Sequence, residues 1–139
     1  MLMEISTEEV LAVHPRVAAV MADALGCDAE QLGLDVSLID DLDAESIDFL
    51  DMVFRLERAF KVKIPRGKII EDARGELSEE EFEHKGYLTA PGLARLRTYL
   101  SEVPADRFRT PMKVADVPRL FTVETFCRLV VRARRAWHA

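Results

Sequence analysis

Between Ser46 and Phe60 the chain carries apolar side chains in two rows at once, and this double patterning limits what it can fold into. Successive helical residues turn by about 100°, so Phe49, Met52, Val53, Leu56 and Phe60 share one stripe, which predicts a helix with that stripe against a core. Ile47, Leu50 and Phe54 form a second row, rotated from the first and bordered by Asp48 and Asp51. A helix needs only one buried stripe. The second row is therefore either covered by other chain or kept as a docking patch, the usual meaning of exposed apolar side chains beside one another.

The helix is preceded by an acidic run. From Asp40 to Asp51 the chain holds Asp40, Asp41, Asp43, Glu45, Asp48 and Asp51 and no base, with Ser46 as the one hydroxyl at the helix start. A helix N-terminus presents free backbone N–H groups and the positive end of the dipole, which favour an anion. The surrounding acids repel a free anion, so the combination favours a phosphate attached covalently to Ser46 Oγ over one bound reversibly. The ordinary alternative is that the serine is an N-cap.

The remaining elements read as helical. Ser6 and Glu9 have capping-box spacing, and Pro15 is expected to kink that helix or open a new one, placing the main first helix over about 15–25 with Val17, Val20, Met21 and Ala24 inward and Gly26 as terminator. A long connection from Cys27 to Leu42 carries Leu32, Leu34, Val36, Leu38 and Ile39 to the core. Pro65 follows the second helix, with Lys61 and Lys63 suited to its negative end. Residues 66–118 read as a helical and loop-rich insertion: Ser78 with Glu81 caps a short acidic helix, Thr89 precedes another running to about Leu100, and Pro104, Pro111 and Pro118 punctuate the rest. Thr122 caps a last helix to about Ala136, with Val123, Phe126, Cys127, Val130 and Val131 inward. Its bases Arg128, Arg132, Arg134 and Arg135 suit a solvated helix end, with an anionic lipid or partner as the other use. No alternating strand pair or internal repeat is visible, so the fold class is an all-α bundle, a single domain over 1–139.

A net charge of −6 disfavours nucleic acid and favours basic protein partners. No stretch approaches the roughly 18 apolar residues of a membrane span, and the N-terminus lacks a secretory pattern, so the expectation is a cytoplasmic monomer without an integral membrane segment. Cys27 and Cys127, far apart and outside any CxxC pair, read as two reduced, partly buried thiols.

From Val36 to Asp48 and on through Phe60, followed by Ile64-Pro65, the chain resembles an acyl carrier protein. The resemblance extends to Ala24-Leu25-Gly26 and to 121–126, thus to about the first half and the last helix. It implies that Ser46 carries 4′-phosphopantetheine derived from coenzyme A, whose thiol holds acyl chains as thioesters. It further implies docking through the acids Glu45, Asp48, Asp51 and Glu57 and the apolar Ile47 and Phe54. Partners would be a phosphopantetheinyl transferase and ketosynthase, acyl-ligase or acyltransferase enzymes, and the protein itself would not be catalytic. The chain departs from the family pattern in Glu45-Ser46-Ile47 for Asp-Ser-Leu, in Asp43 for the glycine of the preceding turn, and in the bases Arg58, Lys61 and Lys63. Ile39-Asp40-Asp41-Leu42, Phe49 to Phe54 and Val62 to Pro65 most resemble the specialised carriers that deliver very long acyl chains to bacterial lipid A. The expected fold is the acyl-carrier bundle with extra helices between its second and last helices, adding apolar interior or a second docking face through Ile69, Ile70, Phe82, Leu88, Leu93, Leu96 and Leu100.

Four other readings compete. A hydrolase would need His14, His84 or His138 beside Ser46, which lies in no G-x-S-x-G elbow. A cation site in the acidic run lacks the EF-hand alternation, so no dedicated metal is expected. A carrier-fold adapter without the arm would dock through Ile47, Leu50 and Phe54, and a peptidyl or polyketide carrier would share both arm and bundle.

Overall fold

The computed structural model describes residues 5–64 and 68–138, with the side chains of residues 46, 68–70 and 136–138 outside that description. In chain order the helices are α1 (Thr7–Leu25), α2 (Leu38–Leu42), α3 (Ser46–Phe60), α4 (Lys68–Arg74), α5 (Glu79–Phe82), α6 (Ala90–Tyr99) and α7 (Val123–His138). Strands β1 (Glu83–His84) and β2 (Tyr87–Leu88) form one hairpin between α5 and α6. The expected all-α class holds. The residues divide into two compact units, with boundaries between Ile64 and Pro65 and between Leu120 and Phe121.

The first unit is built on α1, α3 and α7, with α1 packed against both others. Ser6 Oγ accepts the Glu9 N–H at 3.1 Å while Glu9 Oε1 accepts the Ser6 N–H at 3.0 Å, closing the capping box. No new helix opens at Pro15: α1 runs through it from Thr7 to Leu25. Pro15 removes one helix bond, but it lies on the exposed side where a freed carbonyl meets water. On the opposite side Val10, Val13, Val17, Ala18, Met21 and Ala22 form one buried stripe spanning the proline, and burial at about 1.5–3 kcal/mol per large side chain outweighs one lost bond. Gly26 ends the helix at φ 70°.

The predicted stripe of α7 is buried throughout, and Thr122 Oγ1 accepts the Thr125 N–H at 3.2 Å, as an N-cap should. Of its bases, Arg128 pairs with Glu124 at 3.0 Å and Arg135 with Glu9 at 2.6 Å. The Ser6 N–H and then the Arg135 guanidinium hold the Glu9 carboxyl below its usual range. Cys27 is half-buried, Cys127 is buried, and neither is in a disulfide. Burial, with the Glu124 charge as a second cause, pushes the Cys127 thiol up to about 12.

The second unit has its own interior, with Ala73, Phe82, Leu96, Leu100 and Val103 buried. Leu88 and Leu93 are half-buried, and the Ile69 and Ile70 side chains lie outside the described residues. Ser78 caps α5 as predicted, and Thr89, expected only to precede α6, caps it. Gly92 crosses the Phe82 backbone so closely that a Cβ there would stand 2.9 Å from the Phe82 carbonyl carbon and nearer still to its oxygen. The hairpin corrects the expectation of no strand pair. Two-residue strands show no measurable alternation, and the turn rests on Lys85 and Gly86 at φ 53° and 85°.

Candidate functional site

The connection before α3 is fixed from both ends. Ser37 is buried and bridges Thr122 in a short antiparallel pairing, with Leu38 N–H donating to Phe121 O at 3.2 Å and Val123 N–H to Val36 O at 3.0 Å. Ser37 Oγ accepts the Asp40 N–H, and Asp41 Oδ2 accepts the Ser37 N–H at 2.8 Å. These bonds start α2, a one-turn helix inside what the sequence reads as a long connection. Of the residues expected to turn inward here, Leu32 and Leu38 are buried and Leu34, Val36 and Ile39 half-buried. The chain leaves α2 at Asp43, whose φ of 56° is the left-handed conformation that favours glycine and that Asp tolerates better than most residues. Ala44 is then buried, its N–H bonded to Leu38 O at 3.0 Å.

Glu45, not Ser46, is the N-cap of α3, and Ser46 is the first residue with helical backbone. Asp48 Oδ2 accepts the Glu45 N–H at 2.8 Å. The capping position is thus filled without the serine, which weighs against reading Ser46 as a mere cap. A helix of this length directs the unpaired N–H groups of its first turn and its positive end toward Ser46. Beneath that turn, Phe49 stands 6.0 Å from Phe121 and 5.9 Å from Phe126 between ring centroids, an aromatic triangle that seats the helix on α7.

The two apolar rows of α3 separate at all positions but Leu50. Met52 and Leu56 are fully buried and Phe49, Val53 and Phe60 half-buried, whereas Ile47 is 71% and Phe54 42% exposed. Leu50 is half-buried. The acids differ in what engages them. Glu45 is exposed, Asp51 pairs with Arg55 at 3.0 Å, and Glu57 Oε2 accepts the Ile64 N–H at 2.7 Å, tying down the chain after α3. Arg55 also reaches Asp23 at 2.9 Å. This triad was not foreseen, although the four-residue spacing of Asp51 and Arg55 was available in the sequence. Arg16 is another unforeseen element: it donates to Ala59 O at 2.6 Å, and its guanidinium and that of Arg134 lie 5.1 and 5.9 Å from the Phe60 ring centroid.

His14 Nε2 is hydrogen-bonded to Leu32 O at 2.7 Å, a role in holding the loop, and the His138 side chain lies outside the described residues. Among the described residues, no three His, Cys, Asp or Glu side chains are placed to hold a metal ion. Among them too, no helix is long and apolar enough to cross a membrane.

Residues 15–74 match the family model of the phosphopantetheine attachment site. The chain is 36% identical over 55 residues to an acyl carrier protein of Bdellovibrio bacteriovorus, covering 40% of this chain and 70% of that one. To an acyl carrier protein of Sinorhizobium fredii it is 44% identical over 53 residues, 38% of this chain and 68% of the other. To the acyl carrier protein AcpXL of Rhizobium meliloti it is 35% identical over 74 residues, 52% of this chain and 78% of the other. All three relatives are shorter than this chain.

Proposed function

We propose, for a chain that belongs to the acyl carrier protein family, that Ser46 is the residue bearing its covalent 4′-phosphopantetheine and that the arm carries acyl groups for a specialised lipid synthesis. The observation that carries the site is the start of α3. Glu45 takes the capping role, the helix presents its positive end at Ser46, and Glu45 and Ile47 on either side are exposed, leaving room for a phosphodiester. Ser46 would hold the group through Oγ. When bound, the group supplies a terminal thiol on which an acyl chain rides as a thioester.

The chain's own residues position that arm and present it. The pairing of 36–38 with 121–123 and the aromatic triangle under Phe49 hold the start of α3 in place. Glu45, Ile47, Asp48, Asp51 and Phe54 surround or follow the serine as a docking face for a phosphopantetheinyl transferase and for ketosynthase, acyl-ligase or acyltransferase enzymes. Glu57 contributes to that face mainly by fixing Ile64. The protein itself is a non-catalytic cytoplasmic carrier in this reading. The specialised role is supported by the similarity to AcpXL, the longest of the matches described above, together with the motifs that resemble long-chain carriers. Residues 66–118 are read as a helical and loop-rich insertion within a single carrier domain.

Intact-mass measurement after incubation with coenzyme A and a broad-specificity phosphopantetheinyl transferase tests the site. A phosphopantetheine-sized gain is expected on the parent and none on Ser46→Ala. A gain that persists on the variant overturns Ser46, and a folded parent that gains nothing with several transferases overturns the arm.

A further inference from the structure

The outward face of α3 is a single line of exposed residues. Ile47, Asp51, Phe54 and Arg58 lie at i, i+4, i+7 and i+11, which at about 100° per residue brings them within an arc of about 60° around the helix. Along that line the charge changes sign. Before it stand the exposed acids Asp40, Asp41, Asp43 and Glu45. In its middle, Asp51 and Asp23 share the one guanidinium of Arg55, so the acidity before the line is partly offset where Phe54 is exposed. At its end Arg58 and Arg16, both exposed, line a cleft together with Arg55 and Asp23. A chain with a net charge of −6 therefore ends its exposed helix face in a basic pole.

We propose that Arg58 is a specificity determinant for the enzyme that loads Ser46, selecting a transferase that sets an apolar pocket over Ile47 and Phe54 and a carboxylate against Arg58. This rests on Ser46 as the loading site. Any enzyme acting there must sit over the start of α3, and a standard footprint of about 800 Å² per partner corresponds to a radius of about 16 Å. Phe54 lies about 12 Å and Arg58 about 18 Å along the helix axis from Ser46, so the apolar residue falls inside the footprint and the base at its rim. Rim charges govern encounter and salt dependence, and complementarity requires the partner's charge there to be negative. An enzyme presenting only bases along its docking groove would match the acids before Ser46 and meet repulsion at Arg58.

The test is the kinetics of loading of the full chain with coenzyme A, using the purified phosphopantetheinyl transferase that modifies the parent, on Arg58→Glu, Arg58→Gln and Arg58→Lys. Arg58→Glu is expected to raise KM by about threefold to tenfold at low ionic strength, with Arg58→Gln intermediate and Arg58→Lys close to the parent. The differences should shrink at about 1 M salt, where screening shortens to about 3 Å. Circular dichroism melts of the variants separate docking from any loss of fold. An unchanged KM for Arg58→Glu overturns the proposal, and a lowered KM overturns its sign by showing a basic group opposite Arg58. If the folded parent is not loaded at all, Ser46 as loading site fails, and the proposal falls with it by a route distinct from either result on Arg58.

Discussion

Leu56 and Phe54 stand two residues apart on α3, and truncating each to alanine should give opposite results in stability and loading. Leu56 is fully buried, and Leu56→Ala removes about three methylene equivalents from the interior, about 2.4 kcal/mol at 0.8 kcal/mol each. The cavity left between α1, α3 and α7 adds to that, giving about 3–4 kcal/mol, within the span of about 2–5 for such truncations. Phe54 already has 42% of its surface in water, and alanine returns about 0.5 kcal/mol of helix propensity, so Phe54→Ala should cost about 1 kcal/mol or less. Urea unfolding followed by far-ultraviolet circular dichroism measures both, with hydrogen exchange at Met52 and Val53 identifying the transition in which α3 melts. At a slope of about 1.5 kcal/mol per molar, Leu56→Ala should lower the midpoint by about 2 M and Phe54→Ala by well under 1 M. Loading of the arm should show the reverse order when each variant is assayed where it is folded: slowed for Phe54→Ala, near the parent for Leu56→Ala. Costs within about 0.5 kcal/mol of each other, or a larger cost for Phe54, would refute the assignment of the two rows.

Gly92→Ala should destabilise the second unit by about 2–3 kcal/mol, because the added methyl meets the Phe82 backbone rather than a side chain that can turn aside. Faster hydrogen exchange across residues 90–99 would show it, and parent-like protection would argue against the close crossing. In the native protein, a thiol-exchange dye should react with half-buried Cys27, while Cys127 should react only on unfolding. The Cys127 thiol is raised from 9.0 to about 12, so the fold prefers its neutral form. That contribution to stability is complete below pH 9 and is lost progressively as pH rises from 9 toward 12, which alkaline melts of the parent and Cys127→Ala would resolve.

The sequence was most informative where a long period and a cap agreed. The bounds of α3, its two rows and the stripe of α7 were legible because roughly four turns of regular spacing leave little choice of face. Ser46 could be singled out from its position between an acidic run and that periodicity. Pro15 misled because a local rule about one hydrogen bond was set against a buried stripe that only tertiary packing completes. α2 and the hairpin were invisible because five residues and two residues are too short to show a period. The ties of Asp48 to Glu45, Asp51 to Arg55 and Glu57 to Ile64 were hidden for another reason: an acid reads the same in sequence whether a partner, water or the chain itself receives it.

The short pairing between Ser37 and Thr122 has a consequence for the order in which the protein is made. All of α3 has been synthesised by Phe60, yet Phe121 and Phe126, which seat it, come only after the second unit has been translated. At about 5–20 residues per second, several seconds separate the serine from the residues that fix its helix. Closing a loop of this size is entropically tolerable, since each doubling of length costs only about 0.6 kcal/mol. The delay is the larger effect. Until α7 has emerged from the ribosome, α3 lacks the Phe121 and Phe126 rings that seat it. The length of chain between α3 and α7 thereby sets the interval between synthesis of the helix and synthesis of the residues that seat it.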